Sequence, residues 1–392
     1  MAPTPLAGLK VVEFAHMVMG PTAGLVLGDL GADVIKVEPL PEGDNTRRLT
    51  GSGAGFFVMF NRNKRSLTVD LKRPEGMALV RKLLARADVL IENFRPGAME
   101  KLGLGYAALA AEDPRLIYCS CKGFLPGPYE HRTALDEVVQ MMGGLAYMTG
   151  LPGRPLRAGA SVNDIMGGVF GVVGILAALH EREASGRGRH VQAALFENTA
   201  LLMGQHMAQI AVTGKTPAPM SQRSPAWPVY DIFETADGGQ VFVGAVTDAQ
   251  WQVLCKAFGL DDLAGDPALA TQAARVAARA RTLPRIAEAF RGYARDALMR
   301  QCEELGLPFA PIGTPAELFD DPHLNASGGL LRTRLPDGSE TRLPALPIAI
   351  DGEHCGLRRD PPRPGEHDAE IARELGLGES EIAALKETGV IG

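Results

Sequence analysis

Asp164 is the residue whose neighbours most invite chemistry. It sits in RAGASVNDIMGGVFG (157–171), at the start of an apolar helical pattern, with glycines at 159, 167 and 168. An aspartate at a helix N-terminus is ordinarily a cap or a first-turn partner of the helix dipole. Glycines around it would also let a substrate approach closely, which keeps a catalytic carboxylate in play. A second feature is FAHMVMGPTAG (14–24), where a strand pattern turns into a helix. Gly20 permits close backbone approach there, and the helix start offers unpaired N–H groups to an anion; a packing glycine in a βα turn is the equal alternative. A third is the basic set Lys36, Arg47, Arg48, Lys64, Arg65, Lys72, Arg95, Lys101 and Lys122. Many of these stand at or just past strand ends, where doubly wound sheets bind ligands. They suit a small polyanion, and a solvated charged surface is the plainer reading.

Other chemistries are disfavoured. No G-x-G-x-x-G follows the first strand pattern, and no G-x-x-x-x-G-K-[ST] occurs. H-E-x-x-H and G-x-S-x-G are also missing. The net charge of −6 argues against a sequence-independent grip on nucleic acid or anionic membrane. Cys119, Cys121, Cys255, Cys302 and Cys355 are odd in number and irregularly spaced, so neither a disulfide framework nor a metal site is expected. A cytoplasmic location fits that usage. MAPTPLAGLK does not have the order of a signal peptide. The longest apolar region, Ile165 to His180, reads as a buried helix, too short and glycine-rich to span a membrane.

The elements that must position these residues follow from hydrophobic pattern. LKVVEF (9–14), ADVIKVE (32–38), RSLTVDL (65–71), DVLIENF (88–94), RLIYCS (115–120) and HVQAAL (190–195) read as strands. Helical patterns separate them, including Gly20–Leu30, Pro74–Ala85, Asp136–Tyr147 and Asp164–Arg182. Alternating strands and helices predict a parallel, doubly wound α/β sheet, and continuous apolar strands predict burial on both faces. The length of 392 residues suits two domains. Residues 1–200 open the large one, 201–228 form a linker, and 229–318 form a smaller α+β domain. A second linker covers 319–329, and 330–392 return to the large domain.

Taken together, ordered segments identify a resemblance. GLKVVEFAHMVMGPTAG, LGDLGADVIKVE, NRNKRSLTVDL, ADVLIENFRPGAMEKLGLGY, KGFLPGPY, ALDEVVQMMGGLAYMTG, GASVNDIMGG and GILAALHEREASGRGRHV run in the order found in the class III CoA-transferase family. That family includes formyl-CoA transferases and, as a branch, α-methylacyl-CoA racemases. Weaker matches continue through TADGGQVFVGAVTDAQW and GLPFAPIGTPAELFDDPHL, so the resemblance covers nearly the whole chain.

The resemblance implies a Rossmann-like large domain, a smaller α+β domain, and an interlocked, ring-like homodimer. Coenzyme A or acyl-CoA would be substrate, with no permanently bound cofactor and no metal. Asp164 falls on the family's nucleophile. His16, Met17 and Val18 fall beside the CoA thioester, with Gly20 of the same turn a further cofactor-binding candidate, and Lys72, Asn93, Phe94, Lys101 and Lys122 fall on CoA contacts. Val18 replaces the glutamine of formyl-CoA transferase, which argues against formyl or oxalate specificity. Racemases carry a histidine where this chain has Leu135, so transfer is expected rather than racemisation. A CoA-binding subunit without catalysis is opposed by the intact aspartate. KGFLPGPYEHRTALDE resembles the branch acting on C4–C5 dicarboxylates such as succinate, mesaconate or itaconate, whether between two acids or within one diacid. A second carboxylate needs a cation, for which Arg47, Arg132 and Arg223 are candidates. The helix N-terminus is expected to hold Asp164 ionised, and amides near Gly20 or Gly167 to stabilise oxyanions.

Overall fold

The computed structural model describes residues 2–222 and 225–392. The chain divides into two units, one taking residues up to Ser221 together with Pro322–Gly392, the other Gln222–Asp321.

In the first unit β1 (Lys10–Phe14) passes through α1 (Met19–Asp29) to β2 (Asp33–Glu38). The short α2 (Phe56–Phe60) precedes β3 (Lys64–Thr68), and α3 (Pro74–Leu84) leads to β4 (Val89–Glu92). Then come α4 (Ala98–Lys101), α5 (Tyr106–Glu112) and β5 (Ile117–Lys122). Next are α6 (Asp136–Met142), α7 (Leu145–Thr149), α8 (Val162–Ser185), β6 (His190–Ala194) and α9 (Leu195–Thr213). The six strands pair in parallel in the order β3-β2-β1-β4-β5-β6. Because side chains alternate across a strand, Val12, Phe14, Ile35, Val37 and Leu90 enter one apolar layer, while Val11, Val34, Val89, Ile91, Cys119 and Cys121 enter the other. The order reverses at β1, between β2 and β4, and this opens a crevice beyond their carboxyl ends.

Residues 322–392 complete this unit. Asp368 accepts from the Thr68 backbone N–H at 2.8 Å and its hydroxyl at 2.7 Å. The helices Asp368–Glu374 and Glu379–Glu387 add Ile371, Leu375 and Ile382 to the layer that holds Leu67. The second unit has its own core. Antiparallel β7 (Val229–Glu234), β8 (Gln240–Ala245) and β9 (Phe309–Pro311) pack with helices around Trp251, Phe290 and Leu298.

Three expectations need correction. The helix from Asp136 stops at Met142, and α7 restarts after Gly144, whose φ of 88° only glycine adopts easily. Residues 201–213, given to the linker by the domain boundary, are the end of α9, in keeping with the helical pattern from Glu197 to about Val212. The Ile165–His180 region belongs to a 24-residue helix, α8, which is long and apolar enough to cross a membrane by length and composition. It is not wholly buried. Gly167, Gly168, Gly171, Val172 and Ile175 face the interior, while Val169, Phe170 and Val173 stay exposed.

The inner glycines let α8 lie on α1. A Cβ on Gly168 would stand 2.6 Å from the Met19 carbonyl oxygen, and one on Gly167 would stand 2.6 Å from Met19 Cε. Backbone cannot yield as a side chain can. Gly168→Ala is therefore expected to lower unfolding free energy by about 1–3 kcal/mol in chemical denaturation. Gly159→Ala, whose Cβ would meet nothing within 4 Å, should change it little.

Candidate active site

Asp164 occupies the first turn of α8, whose N-cap, Ser161, makes no side-chain cap hydrogen bond. A helix start leaves several N–H groups without intrahelical partners. Two of them, on Asn163 and Asp164, donate to one oxygen of Asp136 at 2.7 and 3.0 Å. The other Asp136 oxygen accepts from the Gln140 amide and has Arg157 Nη2 at 3.7 Å. Asp136 is thus the carboxylate that the helix terminus serves, and it is buried.

This corrects the expectation for Asp164. Burial, and then the negative charge of Asp136, push its carboxyl up to about 7, against a smaller opposing pull from Arg157. Near neutral pH the side chain stands between acid and carboxylate. Of the neighbouring glycines, Gly167 and Gly168 pack against Met19 and Thr22, while a Cβ on Gly159 would meet nothing within 4 Å.

The segment after β1 is held almost entirely by side chains. Lys36 donates to the Ala15 carbonyl. The Asn93 amide brackets His16, accepting its N–H at 3.0 Å and donating to its carbonyl at 2.7 Å. The Met17 N–H donates to the Thr46 hydroxyl oxygen at 2.8 Å, and that hydroxyl donates to Asp44 at 2.7 Å. These bonds hold Met17 at a φ of 62°, in the left-handed region that a residue with a Cβ seldom occupies. Behind them lies a buried charge network. Lys36 contacts Glu13 at 3.2 Å and Asp44 at 3.0 Å, and Lys64 contacts Glu13 at 2.7 Å. Burial lowers the Lys64 ammonium to about 8 despite Glu13.

A cavity of about 630 Å³ lies at the carboxyl ends of β1 and β2 and beyond β3 and β4. His16, Met17, Lys72 and Phe94 line it, with Leu40, Asp70 and Leu102 among the remaining wall. The His16 and Phe94 rings are 5.8 Å apart, and burial lowers the imidazole pKa. Asp164 does not line this cavity. The two are joined through the segment after β1, because Ile165 packs on the cluster containing Val18, and Gly167 abuts Met19.

Other expected residues fall elsewhere. Val18 is buried in that apolar cluster. Gly20 is a packing glycine, since a Cβ there would lie 2.5 Å from Ala15 Cβ. Asn93 spends its amide on His16. Lys101 is exposed on α4 outside the cavity wall, and Lys122 pairs with Glu92 at 2.6 Å. Arg47 grips Glu38 at 2.6 and 2.8 Å and lies 3.7 Å over the Phe57 ring, so it is not a free cation. Lys36, Lys64 and Arg65 are likewise held in ion pairs, not presented to a polyanion. Arg132 lies over Tyr129 at 4.1 Å in the loop before α6. Arg223 lies outside the described residues. No group of three potential metal ligands occurs among the described residues. Asp136, Gln140, Arg157 and Thr46 join the site through contacts between elements, and sequence pattern signals only the start of α6 at Asp136.

The raised Asp164 pKa has a stability consequence. Its folded value, about 7, exceeds the ordinary carboxylate value of 3.8. The group therefore favours folding most below the unfolded value, and that contribution is lost as pH rises through the folded one. Asp164→Asn should melt above the parent protein at pH values over 7, with the difference shrinking or reversing toward acid. Thermal melts across that range check this.

The profile described as CoA-transferase family III matches residues 6–368. A succinate–glutarate CoA-transferase of Agrobacterium fabrum is 38% identical over 95% of this chain and 96% of its own. A succinyl-CoA–D-citramalate CoA-transferase of Chloroflexus aurantiacus is 35% identical over 99% and 98%. The crystal structure of a CaiB/BaiF family protein from Brucella suis superposes with a TM-score of 0.83 at 38% identity, covering 95% of this chain and 100% of that one. A profile match over most of its length, with relatives of this identity and coverage, shows that the chain belongs to CoA-transferase family III and is a CoA-transferring enzyme.

Proposed function

We propose that the protein moves CoA from an acyl-CoA thioester to a C4–C5 dicarboxylic acid through covalent intermediates on Asp164. The observation that carries this reading is a half-buried carboxyl at about 7, joined through the segment after β1 to a cavity at the carboxyl ends of the strands. The relatives named for succinate, glutarate and citramalate support the dicarboxylate class.

The Asp164 carboxylate attacks the thioester carbonyl and CoA leaves as thiolate, giving a mixed anhydride. The thiolate then attacks the aspartyl carbonyl and the donor acid departs, leaving aspartyl-CoA. The acceptor acid runs the same steps backward. Each step is a nucleophilic acyl transfer that needs no net proton and no redox partner. The strand order supports a Rossmann-like reading of the large unit, with CoA in the crevice. Lys72 in the cavity wall, with Lys101 nearby in sequence to Leu102, supplies charge for the phosphates. The exposed apolar residues Val173, Leu201, Met207 and Val212 on α8 and α9 support a second copy packed there, consistent with an interlocked homodimer. Leu135, 64% exposed and without a titratable group, offers no second base for racemisation.

Incubation with succinyl-CoA followed by hydroxylamine should convert Asp164 to its hydroxamate, read by peptide mass spectrometry. Turnover surviving in Asp164→Ala would overturn the reading. Because the nucleophile must be ionised, kcat/KM for acyl-CoA should rise through a limb near pH 7. Asp136→Asn removes a like charge and should shift that limb to lower pH. Lys72→Ala should raise the acyl-CoA KM by about ten-fold, with a smaller effect on kcat.

A further inference from the structure

Arg157 is presented beside the two aspartates by a pinned loop. The Leu156 N–H donates to the Ala146 carbonyl at 3.0 Å, and the Ala158 N–H donates to Gln140 Oε1 at 2.8 Å. Gln140 is fully buried, and its amide nitrogen also donates to Asp136, so one side chain fixes both the arginine loop and the carboxylate. The Arg157 side chain is a third exposed. Its nearest carboxylate oxygens, on Asp136 and Glu137, are at 3.7 and 3.9 Å, beyond hydrogen-bond reach. Nε donates to the adjacent Ala158 carbonyl at 3.1 Å. By contrast, Arg47, Arg62 and Arg65 each hold a carboxylate at 2.5–2.6 Å. Arg157 therefore offers two nitrogens without a close carboxylate partner, and its charge acts on Asp164.

We propose that Arg157 receives the carboxylate of the acid that enters to take CoA from the enzyme. The proposal rests on the reading of Asp164 as the acyl-carrying group. In the donor half-reaction the reacting carbon arrives in a neutral thioester. In the acceptor half-reaction it arrives as a carboxylate. Once Asp164 carries CoA its own charge is gone, but Asp136 still holds a negative charge within hydrogen-bond distance of the Asp164 amide. An entering anion meets that charge, and a planar guanidinium beside it offsets the repulsion and orients both carboxylate oxygens. One of those oxygens attacks the aspartyl thioester carbon, the C–S bond breaks, and CoA leaves as thiolate. The thiolate then attacks the acceptor carbonyl of the anhydride, the C–O bond breaks, and the electron pair returns to Asp164. A cation here therefore discriminates between the two substrates.

Steady-state kinetics of Arg157→Ala and Arg157→Lys, with succinyl-CoA and a panel of dicarboxylic acids, test this. Measurement well above the Asp164 limb keeps the nucleophile ionised in every variant. The alanine variant should raise the acceptor KM about ten- to a hundred-fold and leave the acyl-CoA KM within about two-fold, with lysine recovering part of the loss. Hydroxylamine trapping at Asp164 from succinyl-CoA alone should persist in both variants. An unchanged acceptor KM, equal rises in both KM values, or loss of trapping only in the variants would overturn the role of Arg157. Failure of trapping in the parent protein would overturn the reading of Asp164 itself, and this proposal with it.

Discussion

Two carboxylates meet at one helix terminus, and only one of them receives its N–H groups. Asp136 takes both available donors, from Asn163 and Asp164. Asp164 is left with burial and a like charge, which raise its pKa to about 7. Had Asp164 taken those donors, its carboxylate would be strongly stabilised and a weaker base. The arrangement keeps the carboxyl basic, at the cost of leaving part of it protonated near neutrality. The short loop from α7 to α8, Gln140 and Arg157 are arranged around this division of donors.

The second organising feature is charge placed inside the sheet. Glu13, Lys36 and Lys64 are fully buried within an otherwise apolar layer structure. Isolated buried ions are costly, and a paired network offsets that cost only where its geometry is satisfied. Here Lys36 also donates to Ala15, while Asp44 accepts from Thr46, which in turn receives the Met17 N–H. Together with Asn93, these groups replace main-chain partners for residues 15–17. A segment that belongs to neither strand nor helix is thereby made rigid where it borders both the cavity and Val18. Rigidity of this kind suits a site in which a reactive acyl group must meet a carboxyl at a set distance.

Strand and helix placement was readable because the apolar runs are continuous and the turns carry glycine. The doubly wound arrangement, the helix that begins near Asp164, and the CoA-transferring chemistry all follow from ordered segments. The basic residues were read less well. Lys36 lies within β2, Lys64 and Arg65 open β3, and Arg47 follows β2 by nine residues, yet each is held by a carboxylate, Glu13, Asp33 or Glu38, on β1 or β2. A charge read alone looks free until its cross-strand neighbour is known. Asn93 and Gly20 carry structural contacts for a related reason, since the Asn93 amide brackets His16 and Gly20 packs on Ala15, the packing alternative for that glycine.

The linear order of residues determined the alternating α/β pattern, the family, and the aspartate at the head of an apolar helix, because these depend on neighbours within one element. It did not determine which carboxyl the helix terminus serves, that Arg157 stands beside the pair, or that Met17 is held in a left-handed turn. Those were decided by the tertiary structure. Hydrogen bonds and Coulomb forces act between groups close in space, and Asp136 and Asp164, 28 residues apart along the chain, become neighbours only when α6 packs beside α8.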